Sequence, residues 1–182
     1  MSDDFRITAV SSLLKSHVFA VERRTVEHRD RSFHRDVVTH PGAVAILARD
    51  DQGRVGVLRQ YRAPFDRYTL EIPAGTLDVD AEAPLDAAKR ELHEELGCDA
   101  DYWRLLGTFM VSPGWSTQLM HIFEAGSLTM GERRPAGPEE SASTVDWYSP
   151  DQLRDVLDDE PAIDSTMAVA LNLVYGQFFE RR

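Results

Sequence analysis

GTLDVDAEAPLDAAKRELHEELGC, residues 75–98, carries the pattern on which the reading of the fold turns. Glu91, Glu94 and Glu95 fall at i, i+3 and i+4, so at 3.6 residues per turn their side chains leave one side of a helix. Like charges at this spacing cost a helix roughly 0.2–0.5 kcal/mol per pair in water, and more where the face is drawn into a cleft. Hard divalent cations bind through carboxylate oxygens, backbone carbonyls, waters and substrate phosphates, so such a face could hold a cation that in turn holds a phosphate. Pro84 suits the first helical turn and Gly97 the left-handed position after the last. Leu85, Ala88, Leu92 and Leu96 form one stripe, read as the core face, and the three glutamates flank it at the core's edge.

Outward from this helix, the chain alternates strand and helix patterns. Residues 42–48 (GAVAILA) are continuously apolar and fit a buried strand, and residues 55–62 (VGVLRQYR) follow the turn at Asp50-Asp51-Gln52-Gly53 as a second. Residues 68–73 give a third, and further strands are expected at 103–110, 118–125 and 144–148. The segment MGERRPAGPEES reads as a loop. Two helices close the chain, one beginning at Ser149-Pro150 with Leu153, Val156 and Leu157 inward. The other begins at Asp164 with Met167, Ala170, Leu171, Val174 and Phe178 inward. Before all of these, residues 18–39 read as a β-hairpin. The expected fold is α/β, an α/β/α sandwich with a mixed sheet and an N-terminal β-hairpin appendage.

With 182 residues and 42% hydrophobic content the chain can bury a real core. A net charge of -11 argues against a nucleic-acid groove or an anionic membrane surface, both of which need clustered positive charge. No apolar run reaches the roughly 20 residues that span a bilayer, and the start, MSDDFRITAVSS, lacks the layout of a secretory signal. The expected setting is cytoplasmic. Cys98, the single cysteine, has no partner for a disulfide or a zinc cage and reads as a small apolar residue after the helix. An acidic protein with an anionic substrate needs metal ions and a few placed arginines to receive it.

The sequence resembles the Nudix hydrolase family, whose signature is Gly, five residues, Glu, seven residues, then Arg-Glu-aliphatic-x-Glu-Glu-x-Gly-aliphatic. Gly75, Glu82, Arg90, Glu91, Leu92, Glu94, Glu95 and Gly97 fill those places, with six residues rather than five after Gly75 and with Cys98 for the last aliphatic. The flanking pieces His40-Pro41-Gly42-Ala43-Val44, Arg59-Gln60-Tyr61-Arg62, Glu71-Ile72-Pro73-Ala74 and Ser112-Pro113-Gly114 look like the ADP-ribose pyrophosphatase branch. That branch implies a Nudix domain over residues 41–182, and a β-rich appendage over residues 1–40 that pairs two subunits into a homodimer.

The resemblance implies Glu91, Glu94, Glu95 and the Ala74 carbonyl as ligands of Mg²⁺, with Mn²⁺ as the alternative ion. It implies Arg90 and Glu82 as braces beside Gly75, and Glu94 and Glu95 as the carboxylates that matter most for catalysis. A carboxylate that orients the attacking water could come from the box, or from Glu139 or Glu140 in the MGERRPAGPEES segment. Arg59 and Arg62 could hold phosphate oxygens or stack on a base, or stand as surface charges. Glu71 could bind the nucleoside or cap a strand. Pro113 lies where the branch carries a proline, and Gln118 stands where it often places a glutamate, which keeps hydrogen bonding and loses charge. Trp115 could stack on a base or pack in its loop, and the six histidines show no ligand spacing. The implied substrate is a nucleoside diphosphate sugar, ADP-ribose foremost, cleaved to AMP and ribose 5-phosphate. The competing readings are the same chemistry on GDP-mannose, another nucleotide sugar or a dinucleotide, and a non-catalytic nucleotide-sugar sensor.

Overall fold

A computed structural model describes residues 4–180, so the spans 1–40 and 41–182 each run past the described residues at one end. The strand 43–48, expected to be buried, organises the core. It is β4 (Ala43–Ala48), preceded by β1 (Arg6–Lys15), β2 (Ala20–His28) and β3 (Arg31–Thr39). All six residues of β4 are buried, and alternate side chains leave opposite faces of a strand. Ala43, Ala45 and Leu47 therefore enter one hydrophobic cluster, while Val44, Ile46 and Ala48 enter a second.

The remaining elements are β5 (Val55–Arg62), β6 (Arg67–Glu71), β7 (Ala74–Thr76), α1 (Pro84–Leu96), β8 (Cys98–Met110) and β9 (Leu119–Met130). They continue with α2 (Pro138–Ser141), β10 (Thr144–Tyr148), α3 (Pro150–Asp158) and α4 (Ser165–Tyr175). One sheet has the order β7-β4-β9-β8 and a second β10-β5-β6. The β4–β9 pair is parallel and the other pairs are antiparallel, so the architecture is mixed. Val57 and Leu58, adjacent in β5, enter different clusters, so both sheets share both cores. Leu92 and Leu96 of α1 cover one cluster. Leu153 and Leu157 of α3 with Met167, Ala170 and Leu171 of α4 cover the other. This is the α/β/α arrangement expected.

Local chemistry fixes the helix ends. Pro84 opens α1, and Gly97, at φ 67°, closes it with its N–H donating to the His93 carbonyl. Ser149 and Gln152 form a reciprocal capping box on α3, and Asp164 caps α4 by accepting from the Met167 N–H.

Several expectations need correction. The hairpin is β2 with β3, and β1 joins it as a third antiparallel strand. Every residue of β1 is exposed, so its apolar residues follow no buried face from which a strand could be read. β8 starts at Cys98 rather than near 103, because the ladder with β9 begins directly after the Gly97 turn. The MGERRPAGPEES segment contains the one-turn helix α2, and Phe178 is buried beyond the end of α4. Among the described residues no helix is long and apolar enough to cross a membrane.

Candidate active site

The face of α1 turned to the protein interior includes two of the three glutamates. Ala87, Ala88, Leu92 and Leu96 are buried as apolar neighbours, and Glu91 and Glu95 are buried with them, at 7% and 3% exposure. Their expected place on the flank of the core stripe is therefore corrected to the inner face, while Glu94 stays partly exposed. The small side chains of Ala87 and Ala88 let α1 approach the sheet closely. Gly75 completes the approach, because a Cβ there would collide with the Glu91 carboxylate. A larger residue at 75 would push the Glu91 side chain out of this position.

Arg90 binds three carboxylates at once. Its Nε and Nη2 donate to the two Glu82 oxygens at 3.1 Å each, and Nη1 donates to Glu91 at 2.6 Å and to Glu94 at 3.1 Å. Glu82 in the loop before α1 is thereby tied to the helix, and the hydrogen bonds to Glu82 chiefly raise the Arg90 pKa. Glu95 lies apart from this fork and accepts from the Ala74 N–H at 2.8 Å.

Burial pushes the Glu95 carboxyl up to about 8 against the pull of the Ala74 hydrogen bond, with the charges of Glu91 and Glu140 adding to the rise. Burial likewise raises Glu91, although Arg90 pulls it down. Two carboxyl groups thus sit where ionisation is opposed by the surroundings and favoured by a nearby cation. Oxygen donors in this number suit a hard divalent ion. Among the described residues no three His, Cys, Asp or Glu side chains converge on one metal position, because Glu91 and Glu94 are turned to Arg90 and Glu95 to Ala74. The donor set fits such an ion in chemistry, and taking it up would require those side chains to turn.

A second group of polar residues lines the β5–β6 edge. Arg62 donates from Nε and Nη2 to both oxygens of Glu71, at 2.9 and 2.6 Å, and Thr69 donates to Glu71 at 2.5 Å. Burial raises Glu71, but these donors prevail and hold it below the usual carboxylate value. Glu95 and Glu139 lie close enough to Arg62 for their charges to raise its pKa, behind the hydrogen bond to Glu71. This pair therefore lies within electrostatic reach of the α1 cluster.

The chain matches the NUDIX domain model over residues 39–168, more than half its length. The chain belongs to the NUDIX family. It is 38% identical over 146 residues to "ADP-ribose pyrophosphatase" of Mycobacterium tuberculosis, covering 80% of this chain and 70% of that one. A protein of the same name from Bacillus subtilis is 35% identical over 138 residues, covering 75% and 74%. A solved structure described as "Crystal structure of ADP compounds hydrolase" superposes with a TM-score of 0.78 at 26% identity, covering 93% of this chain and 91% of that one.

The other predicted site residues of this NUDIX chain are more scattered. Glu139 and Glu140 lie on α2, and the Glu140 charge is felt at both Glu91 and Glu95. Arg59 lies on the opposite face of β5 from Arg62 and donates to Glu160 at 2.6 Å, away from the carboxylates. Pro113 is exposed in the loop before β9, and that loop is tied to the N-terminal sheet through Val38 N–H to Trp115 O and Thr117 N–H to Val38 O. Gln118 follows it, half-buried.

Two contributors escaped the sequence reading. Arg133 donates to the Glu95 carbonyl at the C-terminal turn of α1, to the Ser143 carbonyl and hydroxyl, and to the Glu140 carbonyl. It satisfies an orphan helix carbonyl and pins α2 beside α1. Asp164, whose carboxyl burial pushes up, feels both Glu71 and Arg62 and so brings the start of α4 to the same edge. A cation near a helix C-terminus is an ordinary signal, but Arg133 lies 38 residues from the carbonyl it serves.

Proposed function

We propose that this chain is a divalent-metal-dependent hydrolase of the pyrophosphate bond in a nucleoside diphosphate sugar, with ADP-ribose split to AMP and ribose 5-phosphate. The observation that carries this reading is the buried carboxylate pair Glu91 and Glu95, seated under Gly75 and braced by Arg90 and Glu82. It occurs in a chain similar along most of its length to proteins named ADP-ribose pyrophosphatase.

Glu91, Glu94, Glu95 and the Ala74 carbonyl would hold Mg²⁺, with Mn²⁺ as the alternative. When bound, such an ion neutralises phosphate charge and makes water a better nucleophile. The protein's own groups do the rest. Arg90 and Glu82 fix the carboxylates in place, and the Nη1 edge of Arg62, left over from its fork with Glu71, can receive a phosphate oxygen. Glu139 or Glu140 on α2, or a box carboxylate, orients the water and takes its proton. The water oxygen joins one phosphorus while the bridging oxygen departs with the other, which gives two monophosphates.

The same proposal includes a cytoplasmic setting, a Nudix unit over residues 41–182, and a homodimer built through residues 1–40. Its support for the dimer is the apolar face of β1 and its approach, where Phe5, Ile7 and Val10 are all more than half exposed. Roles for Arg59, Pro113 and Gln118 in substrate binding would need a partner's surface or a movement to bring them to the α1 carboxylates.

The test is a hydrolysis panel of ADP-ribose, GDP-mannose, NADH, dinucleoside polyphosphates and nucleoside triphosphates with Mg²⁺ or Mn²⁺. ADP-ribose should turn over fastest, with AMP as a product, and Glu94→Gln and Glu95→Gln should be inactive. No turnover of any compound with either ion rejects the enzyme reading.

A further inference from the structure

Gln60 is 4% exposed in the middle of β5. Leu58 and Arg62 share its face of the strand by alternation. Leu58 packs into the core beneath α1, and Arg62 reaches Glu71 within the influence of Glu95 and Glu139. The Gln60 side chain therefore lies between Leu58 and Arg62 on the face of β5 turned to α1. Its cross-strand neighbour is Thr69, whose hydroxyl bonds to the Gln60 backbone carbonyl and to Glu71. Among the described residues nothing hydrogen-bonds to the Gln60 carboxamide itself.

Gln60 is not among the residues whose fully buried polar atoms lack a partner, so its unpaired amide keeps contact with solvent and can be reached by a ligand. Of the charged donors nearby, Arg90 is engaged by Glu82, Glu91 and Glu94, and Arg62 has only its Nη1 edge left beyond its fork with Glu71. A phosphoanhydride presents many acceptors and no donors, so among these carboxylates it calls for uncommitted N–H groups beyond the one edge of Arg62.

We propose that Gln60 is a substrate-binding residue whose Nε2 donates to a non-bridging oxygen of the bound diphosphate. This rests on the diphosphate substrate proposed above, and its consequences are separable from it. As a neutral donor, Gln60 adds affinity for the anion without an extra charge that would compete with a cation for Glu91 and Glu95.

The experiment compares wild type with Gln60→Leu and Gln60→Met. Calorimetry with saturating Mg²⁺ measures binding of the non-hydrolysable α,β-methylene analogue of ADP-ribose and of inorganic pyrophosphate, and melting of the ligand-free proteins is followed in parallel. Both variants should bind both ligands about tenfold more weakly or worse, as expected for loss of a hydrogen bond to a charged group. Both should melt within a few degrees of wild type, because the amide makes no hydrogen bond among the described residues. Wild-type affinity in both variants overturns the assignment, and so does a wild type that binds neither ligand. Loss confined to the analogue also overturns it, because the amide would then be reading the nucleoside or ribose. If wild type binds pyrophosphate but neither binds nor cleaves ADP-ribose, the nucleotide-sugar reading fails while the pyrophosphate arm still decides for or against Gln60.

Discussion

Two places in this molecule bury glutamate among arginines, and they solve the problem in opposite ways. Glu124 on β9, 1% exposed, is held by Arg49 on one oxygen and by Arg104 on the other, the latter at 2.7–2.8 Å. Around α1, Glu82, Glu91 and Glu94 share Arg90, and Glu95 has only the Ala74 N–H. The first site is neutralised with charge to spare from within the fold. The second is left short of positive charge at a position where the sheet, α1 and α2 meet. A carboxylate buried for structure arrives with its cation, whereas the proposed metal ligands on α1 leave room for a cation from outside.

Paired substitutions should separate the two sites most sharply. Glu95→Gln should lower hydrolysis by at least about a hundredfold, since loss of outer partners alone at metal sites costs ~10–100-fold. Without metal it should melt no lower than wild type at pH 8. The folded carboxyl is raised above its unfolded value, so its stabilising contribution is complete only at low pH and is lost as pH rises towards about 8. Glu124→Gln should do the reverse, costing about 2 kcal/mol of stability by denaturant unfolding while kcat of the folded protein stays within about twofold. That cost falls below the roughly 3–5 kcal/mol typical of a broken buried pair because Arg49 and Arg104 keep contact with water. A Glu124→Gln enzyme that is stable and inactive would erase the distinction.

Added Mg²⁺ sharpens the same contrast. At about 100 times its dissociation constant it should stabilise wild type and Glu124→Gln by ~2.7 kcal/mol each and leave Glu95→Gln nearly unmoved, as read by the shift in melting temperature. Arg133→Ala tests a smaller effect. It frees α2 from α1 without touching the box carboxylates, so kcat should fall roughly tenfold with Mg²⁺ stabilisation retained.

The smallest effect concerns the Arg62–Glu71 fork. Glu71 is held below its usual value, so its contribution is present above the unfolded carboxylate value and is lost as pH falls through the folded one. Acid unfolding of Glu71→Gln should therefore begin from lower stability at pH 7 and show a shallower loss below about pH 4.5.

The difference between the two glutamate sites also explains what could be read in advance. The α1 cluster was legible because a helix converts fixed spacing into a shared face, so Arg90, Glu91, Glu94 and Glu95 announce their proximity within six residues. Glu82 was legible only through the family pattern. How deeply Glu91 and Glu95 are buried was not, since it depends on Ala87, Ala88 and Gly75 allowing two elements to close up. Nor was the Glu124 site, because Arg104 and Glu124 come from β8 and β9 and Arg49 from just past β4, and no local pattern specifies how these strands pair. Arg59 and Arg62 looked equivalent in the sequence, yet three residues along a strand places them on opposite faces, one at Glu160 and the other at Glu71.

β4 carries no polar side chain, yet it keeps time for the whole site. Its register sets Val44 opposite Gly75 and Ala45 opposite Ala74 on one side, and Val44 opposite His121 on the other. A slip of one residue would exchange the strand's two faces, swapping Val44 and Ile46 with Ala45 and Leu47 between the helical layers. It would also draw Gly75 out from beneath Glu91. Six aliphatic residues thus act as the clock that keeps the carboxylates in phase with the backbone they lean on.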